Sequence, residues 1–267
     1  MKKLIALILA LIVVLSLVAC GAANDTNKNE QPTGTAGSDE APKFTTLEEG
    51  KLIMSTNAEF PPYEMTDDNK NYIGIDVEIA KAIAEKLGLE LEIMDVDFDA
   101  ALLAVQQNKS DIVMAGVTVN DDRKLVMNFS NTYATGKQVI IVKEGSDVTL
   151  DNLGEKMIGT QRATTGNIYA SDDYGEEHVL AYDNGATAVQ ALQNGQVDCV
   201  IIDNAPAQEY VKANAGLKIL ETEYVIEDYA IGFGKTNTAL VDAVNEVLDE
   251  LIKDGTVQKI LDKYIAA

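Results

Sequence analysis

The chain is 267 residues long, carries a formal net charge of −22 at pH 7, and contains two cysteines, one histidine and no tryptophan. Its acidity excludes a nucleic-acid partner gripped through phosphates, which needs a basic footprint. With so few His and Cys residues, and no phosphate-binding, dinucleotide-binding or nucleophile-elbow motif, neither a metal nor a cofactor is expected.

Lys2 and Lys3 precede an apolar run from Leu4 to Val14, which Leu15 to Ala19 continue with one Ser. A charged start, a short apolar core and small residues at its end describe a secretory signal over residues 1–19. The run falls short of the about 20 residues of a comfortable spanning helix. Leu17-Val18-Ala19-Cys20-Gly21 resembles a bacterial lipobox, which implies cleavage before Cys20 and a diacylglycerol on its thiol. The stretch from Asn24 to Pro42 is almost devoid of apolar residues and cannot offset its ordering entropy by burial. Residues 20–43 therefore read as a lipidated flexible tether, holding a domain at the extracytoplasmic face of the cell membrane.

From about Phe44 onward, strand and helix patterns alternate. Lys51 to Thr56 is a strand. Asp76 is positioned to cap a helix with the apolar face Val77, Ala80, Ile83, Ala84 and Leu87, which Gly88 stops. Leu89 to Met94 is a strand, Phe98 to Gln107 a helix, and Asp111 to Ala115 a strand. Val139 to Val142, Lys156 to Gly159 and Val197 to Ile202 are further strands, with helices at Gly166 to Ala170 and Thr187 to Gln193. Thr238 to Ile265 is helical with an interruption at Gly255. The run from Ala104 to Ala115 resembles that from Ala191 to Ile202, each a helix end, a turn and a buried strand opened by Asp111 or Asp198. The repeat suggests two lobes of similar build, and ligands in such sheets sit beyond the carboxyl ends of strands. That places Gly116 to Thr118 and Asp203 at one cleft.

Arg123 follows a strand end, and its planar fork suits a carboxylate; a surface Arg paired with Asp121 or Asp122 is the plainer alternative. Ala163-Thr164-Thr165-Gly166 opens a helix and offers backbone N–H groups and hydroxyls to an anion, or simply an N-cap. Asp203 ends a buried strand, where it meets an ammonium group or caps the next helix. Phe60, Tyr63 and Phe98 offer aromatic faces to a ligand or to the core. Cys199 reads as a buried structural thiol and His178 as a surface residue.

Together, Ser55 to Glu64, Gly74 to Ala80, Asp111 to Arg123, Phe129 to Tyr133, Ile158 to Gly166 and Asp198 to Asp203 resemble the bacterial solute-binding proteins, family 3, of polar amino-acid ABC transporters, with most likeness to arginine- and lysine-binding members. The resemblance spans about Lys51 to Ile265. It implies an α/β, two-lobed periplasmic-binding-protein type II fold, each lobe a mixed sheet flanked by helices. Lobe 1 would comprise residues 44–136 and 228–267, lobe 2 residues 137–227, with crossings near Thr135 to Gln138 and Glu227 to Ile231. It implies a monomer that captures an amino acid and delivers it to an ABC permease, with no catalytic residues. Arg123 would grip the α-carboxylate, helped by Thr118, Thr165 and backbone at Gly116. Asp203 would take the α-ammonium, Phe60 and Phe98 would stack on the side chain, and Asn57, Glu59, Gln138 and Gln161 would line the variable end. Asn57 stands where basic-amino-acid binders often carry Asp, so glutamine and cystine stay open as ligands. An enzyme on the same scaffold, such as a cyclohexadienyl dehydratase, is the alternative function.

Overall fold

The computed structural model describes residues 44–220 and 224–265. The signal sequence, Cys20 and the tether lie outside the described residues. In chain order the elements are β1 (Lys51–Thr56), β2 (Glu59–Phe60), β3 (Glu64–Thr66), β4 (Tyr72–Ile73), α1 (Ile75–Leu87), β5 (Glu90–Asp95), α2 (Phe98–Gln106), β6 (Ile112–Val113), α3 (Asp121–Val126) and β7 (Met127–Lys143). They continue as β8 (Ile158–Gln161), α4 (Thr165–Tyr174), β9 (Val179–Tyr182), α5 (Gly185–Gln193), β10 (Cys199–Asp203), α6 (Asn204–Ala213), β11 (Leu217–Ile219), β12 (Val225–Gly234), α7 (Thr238–Lys253) and α8 (Thr256–Tyr264). No described helix is long and apolar enough to cross a membrane.

The fold is α/β with two lobes. In the first, β1 pairs in parallel with β5 and β6. In the second, β8 pairs in parallel with β9 and β10. The long strands β7 and β12 join them, antiparallel to each other from Val225 opposite Gln138 to Gly234 opposite Met127. The Met127 end of β7 lies beside β12 residues that in turn pair with β6, while its other end pairs with β10 and β11. The alternation of helices and strands signals the parallel cores. It does not signal β7 at full length, because the polar stretch from Ser130 to Lys137 hides a strand that is half solvent-facing.

The repeat seen in the sequence is structural down to single hydrogen bonds. After α2, the Lys109 N–H donates to Ala104 O at 2.8 Å and Asn108 to Val105 O at 3.3 Å. After α5, Gln196 donates to Ala191 O at 2.9 Å and Gly195 to Leu192 O at 3.0 Å. Both turns need a left-handed residue, supplied by Asn108 at φ 53° and Gly195 at φ 74°. Asp111 then accepts the Ile53 N–H at 2.8 Å, and Asp198 accepts the Met157 N–H at 2.8 Å. In each lobe an aspartate thus ties the start of one strand to its neighbour.

Asp76 does not cap α1. Gly74 holds that position, at φ 127°, and Asp76 lies fully buried in the first turn. The loop after β1 is bolted to this helix start: Ile75 N–H donates to Pro62 O at 3.1 Å and Asp76 N–H to Tyr63 O at 2.9 Å. A Cβ on Gly74 would stand 2.2 Å from the Tyr63 carbonyl oxygen, so the approach requires glycine. On α7 the buried face is Leu240, Val244, Val247, Leu248 and Leu251, at helical spacing. We expect Gly74→Ala to cost at least about 2 kcal/mol in a denaturant titration, through backbone strain and displacement of the Phe60–Glu64 loop; a loss below about 0.5 kcal/mol would contradict that account.

Candidate functional site

The carboxyl ends of β1, β6, β8 and β10 converge on one cavity, lined by Asn57, Phe60, Glu64, Phe98, Ala115, Gly116, Thr118, Arg123, Gln161, Thr164, Thr165 and Asp203. The lobes meet across it. Gln161 Nε2 donates to Asn57 Oδ1 at 2.9 Å, and the Thr118 and Thr165 hydroxyls stand 3.4 Å apart. The free space is about 10 Å³, room for about one water molecule. A molecule larger than water would therefore enter only if the lobes parted.

Arg123 is buried, at 7% exposure. The Asn120 side chain caps α3 by accepting the Arg123 N–H at 2.8 Å, which fixes where the guanidinium starts. Its Nη1 donates to Thr118 O at 2.9 Å, and Nη2 donates across the cleft to Ala163 O at 3.1 Å. Ala163 sits at φ 61°, a conformation uncommon for a residue with a Cβ. The guanidinium lies 5.5 Å from the centre of the Phe98 ring, so Phe98 supports Arg123 as well as lining the cavity. The surface reading of Arg123 is thereby set aside, and Asp121 pairs with Lys124 instead.

Thr118 is held by the strand beside it: Ala230 N–H donates to Val117 O at 3.1 Å and Val119 N–H to Asp228 O at 2.9 Å. Gly116 has φ 56°, and a Cβ there would press on the Phe60 ring at 2.9 Å. Its N–H donates to Asp76 Oδ2 at 2.9 Å, while Tyr133 Oη donates to Asp76 Oδ1 at 2.7 Å. Thr164 is the N-cap of α4, accepting the Asn167 N–H at 3.2 Å, which leaves Thr165 buried at the helix start.

Asp203, at 6% exposure, accepts a hydrogen bond from Tyr229 Oη on β12. The Tyr229 ring passes over Gly136, where any Cβ would collide with it. Burial pushes the Asp203 carboxyl up to about 8, with Glu227 adding to the shift and Arg123 opposing it. Burial likewise raises Asp76 to about 6, against the hydrogen bonds from Gly116 and Tyr133.

Of the residues singled out from sequence, Asn57, Phe60, Phe98, Gly116, Thr118, Arg123, Gln161, Thr165 and Asp203 line this cavity. Two do not. Glu59 is exposed at the cleft mouth, where its carboxylate accepts from Asn184 Nδ2 at 2.6 Å and its carbonyl from Tyr210 Oη at 3.0 Å. Gln138 is buried between the lobes, where Nε2 donates to Glu227 Oε2 at 2.9 Å. Sequence reasoning missed Glu64, Asp76 and Tyr229. Glu64 stood in the loop motif but reads as the start of a polar strand; Tyr229 carried no local signal.

A two-lobed α/β fold whose cleft sets a buried arginine on one lobe against a buried aspartate on the other is the build of an extracytoplasmic solute receptor. The family model of the bacterial extracellular solute-binding proteins, family 3, matches residues 52–267, and the chain belongs to that family. It is 30% identical over 270 residues to the arginine-binding extracellular protein ArtP of Bacillus subtilis (strain 168), covering 99% of this chain and 98% of ArtP. Among solved structures it resembles an ancestral arginine-binding protein bound to glutamine, with 39% identity, a TM-score of 0.77 and coverage of 82% and 100%. It also resembles the arginine-, lysine-, histidine-binding protein ArtJ of Geobacillus stearothermophilus, with 34% identity, a TM-score of 0.77 and coverage of 81% and 96%.

The raised Asp203 value sets a pH dependence. Between 3.8 and about 8 the folded chain keeps a proton on Asp203 that the unfolded chain has lost. Stability from this group is therefore full below the lower value and falls as pH rises through the window. Melting curves between about pH 5 and about pH 8 should decline more steeply for the natural chain than for Asp203→Asn; equal slopes would contradict the assignment.

Proposed function

We propose that this protein captures a polar L-amino acid, of the arginine or lysine type, outside the cytoplasm and passes it to an ABC permease. The observation that carries this reading is that Arg123 and Asp203, buried and of opposite charge type, line one cavity from opposite lobes. An amino acid in water is a zwitterion. Enclosing it removes hydration from both ends, and each charge must then meet a hydrogen-bonding partner. Arg123, with the Thr118 and Thr165 hydroxyls, suits the carboxylate; Asp203 suits the ammonium. Because the partners come from different lobes, the ligand stabilises closure and shifts the population toward it. We assign residues 44–136 and 228–267 to lobe 1 and residues 137–227 to lobe 2.

The relatives' names support the arginine-type reading. A second reading, a glutamine-type ligand, is favoured by the uncharged pair Asn57 and Gln161, whose amides match an amide side chain. We assign no catalytic residue, and Asp203, already bonded to Tyr229, serves as an acceptor for an ammonium rather than as an acid–base group at a reacting carbon.

The anchor is part of the proposal: cleavage before Cys20, a lipid on its thiol, and a tether to Lys43 would keep a monomeric receptor beside its permease. Cys20→Ser should move the protein from the membrane fraction to the soluble fraction; a chain that stays with membranes would contradict the lipid. Melting curves with each common L-amino acid should shift for one or a few, with arginine among them, and Arg123→Ala should abolish the shift. No shift with any of them would overturn the binding function.

A further inference from the structure

Glu64 is fully buried at the start of β3, and it lines the ligand cavity. Among the described residues, neither of its carboxylate oxygens has a hydrogen-bond partner. A buried charge in that position is costly unless something arrives to meet it. Its surroundings are acidic. Asp76 faces it from α1, Asp203 from β10 and Asp95 from β5, and the nearby phenols are those of Tyr63, Tyr133 on β7 and Tyr210 on α6. Arg123 is the one cation among the cavity's lining residues, and its guanidinium donates to Thr118 O and Ala163 O rather than to Glu64. Asp76 and Asp203 have found donors, in Gly116, Tyr133 and Tyr229. Glu64 has not.

We propose that Glu64 is a second carboxylate of the ammonium subsite, and that it gives up a proton to solvent when the ligand's ammonium group enters. The inference rests on the amino-acid reading above. In the free protein Glu64 holds its proton as a neutral acid. When R–NH₃⁺ enters, Glu64–COOH becomes Glu64–COO⁻ paired with the ammonium, and one H⁺ leaves. The buried site thus holds a neutral acid before capture and an ion pair after it, and at neither stage an unmet charge. Burial and the neighbouring carboxylates Asp76 and Asp203 push Glu64 well above the usual carboxylate range, consistent with the neutral form at neutral pH.

The test is calorimetric titration of L-arginine into the protein at about pH 7 in phosphate and in Tris, whose ionisation enthalpies differ. If L-arginine gives no melting shift, the amino acid that does takes its place. Protons should be released on binding, from Asp203 as well as from Glu64, and the number released should fall by about one in Glu64→Gln but stay the same in Glu85→Gln, an exposed site on α1. Binding with the same heat in both buffers overturns the inference and leaves the amino-acid function standing, as does a release that is undiminished in Glu64→Gln. No binding of any amino acid overturns the function and the inference together. Should Glu64→Gln fail to fold, the natural chain still decides: with Asp203 and Glu64 both giving up protons, its affinity should rise by more than about tenfold for each unit of pH increase toward neutrality, and a slope of about tenfold or less refutes release by Glu64.

Discussion

A charge taken out of water must be met by a partner, and this requirement organises the cleft. Arg123 is lodged under the loop after β6 with its guanidinium on the Phe98 ring, and Asp203 is lodged at the end of β10 under the Tyr229 hydroxyl. Arg123 donates to the backbone carbonyls of Thr118 and Ala163, and Asp203 accepts from the Tyr229 hydroxyl, so these partners are all uncharged. On the proposed reading, a zwitterion would meet both charges at once, but only if the lobes come together. Much of the surrounding architecture follows from keeping these two groups in place. Asn120 caps α3, Gly116 makes room for Phe60, and Gly136 makes room for Tyr229.

The strands β7 and β12 make approach of the lobes possible without taking either apart. Each runs from one lobe into the other, and their pairing is irregular around Tyr229 and Ala230, where the register shifts. Gln138 and Glu227 are hydrogen-bonded to one another at this junction rather than lining the cavity. Tyr229 belongs to the same junction, yet its hydroxyl binds the cleft aspartate. The joint and the proposed ammonium subsite are therefore in direct contact. At the cleft mouth, Glu59 reaches across to Asn184 and Tyr210.

Much of this was legible in the sequence. The helices showed in their apolar periodicity, and the two-lobed plan in the resemblance of Ala104–Ala115 to Ala191–Ile202, because a turn and an aspartate with the same duties need the same residues. The cavity was legible where a residue type is tied to one chemistry, as with Arg123, or lies at a strand end, as with Asp203. What stayed hidden depends on long-range contacts. Asp76 has the pattern of a helix cap, but its carboxylate turns to Gly116 and Tyr133, both distant in the chain. Glu64 looks like a surface residue until β3 is folded against α1. The full span of β7 escaped because a strand crossing between lobes buries its middle on neither face consistently.

The central claim is that one ligand bridges the lobes through Arg123 and Asp203. A crystal structure of the protein with L-arginine, or with whichever L-amino acid shifts its melting curve, tests this most directly. The account predicts the ligand's carboxylate hydrogen-bonded to the Arg123 guanidinium and its ammonium to the Asp203 carboxylate, in the same molecule. A ligand held by one lobe alone, or lying with its ends reversed, would contradict it.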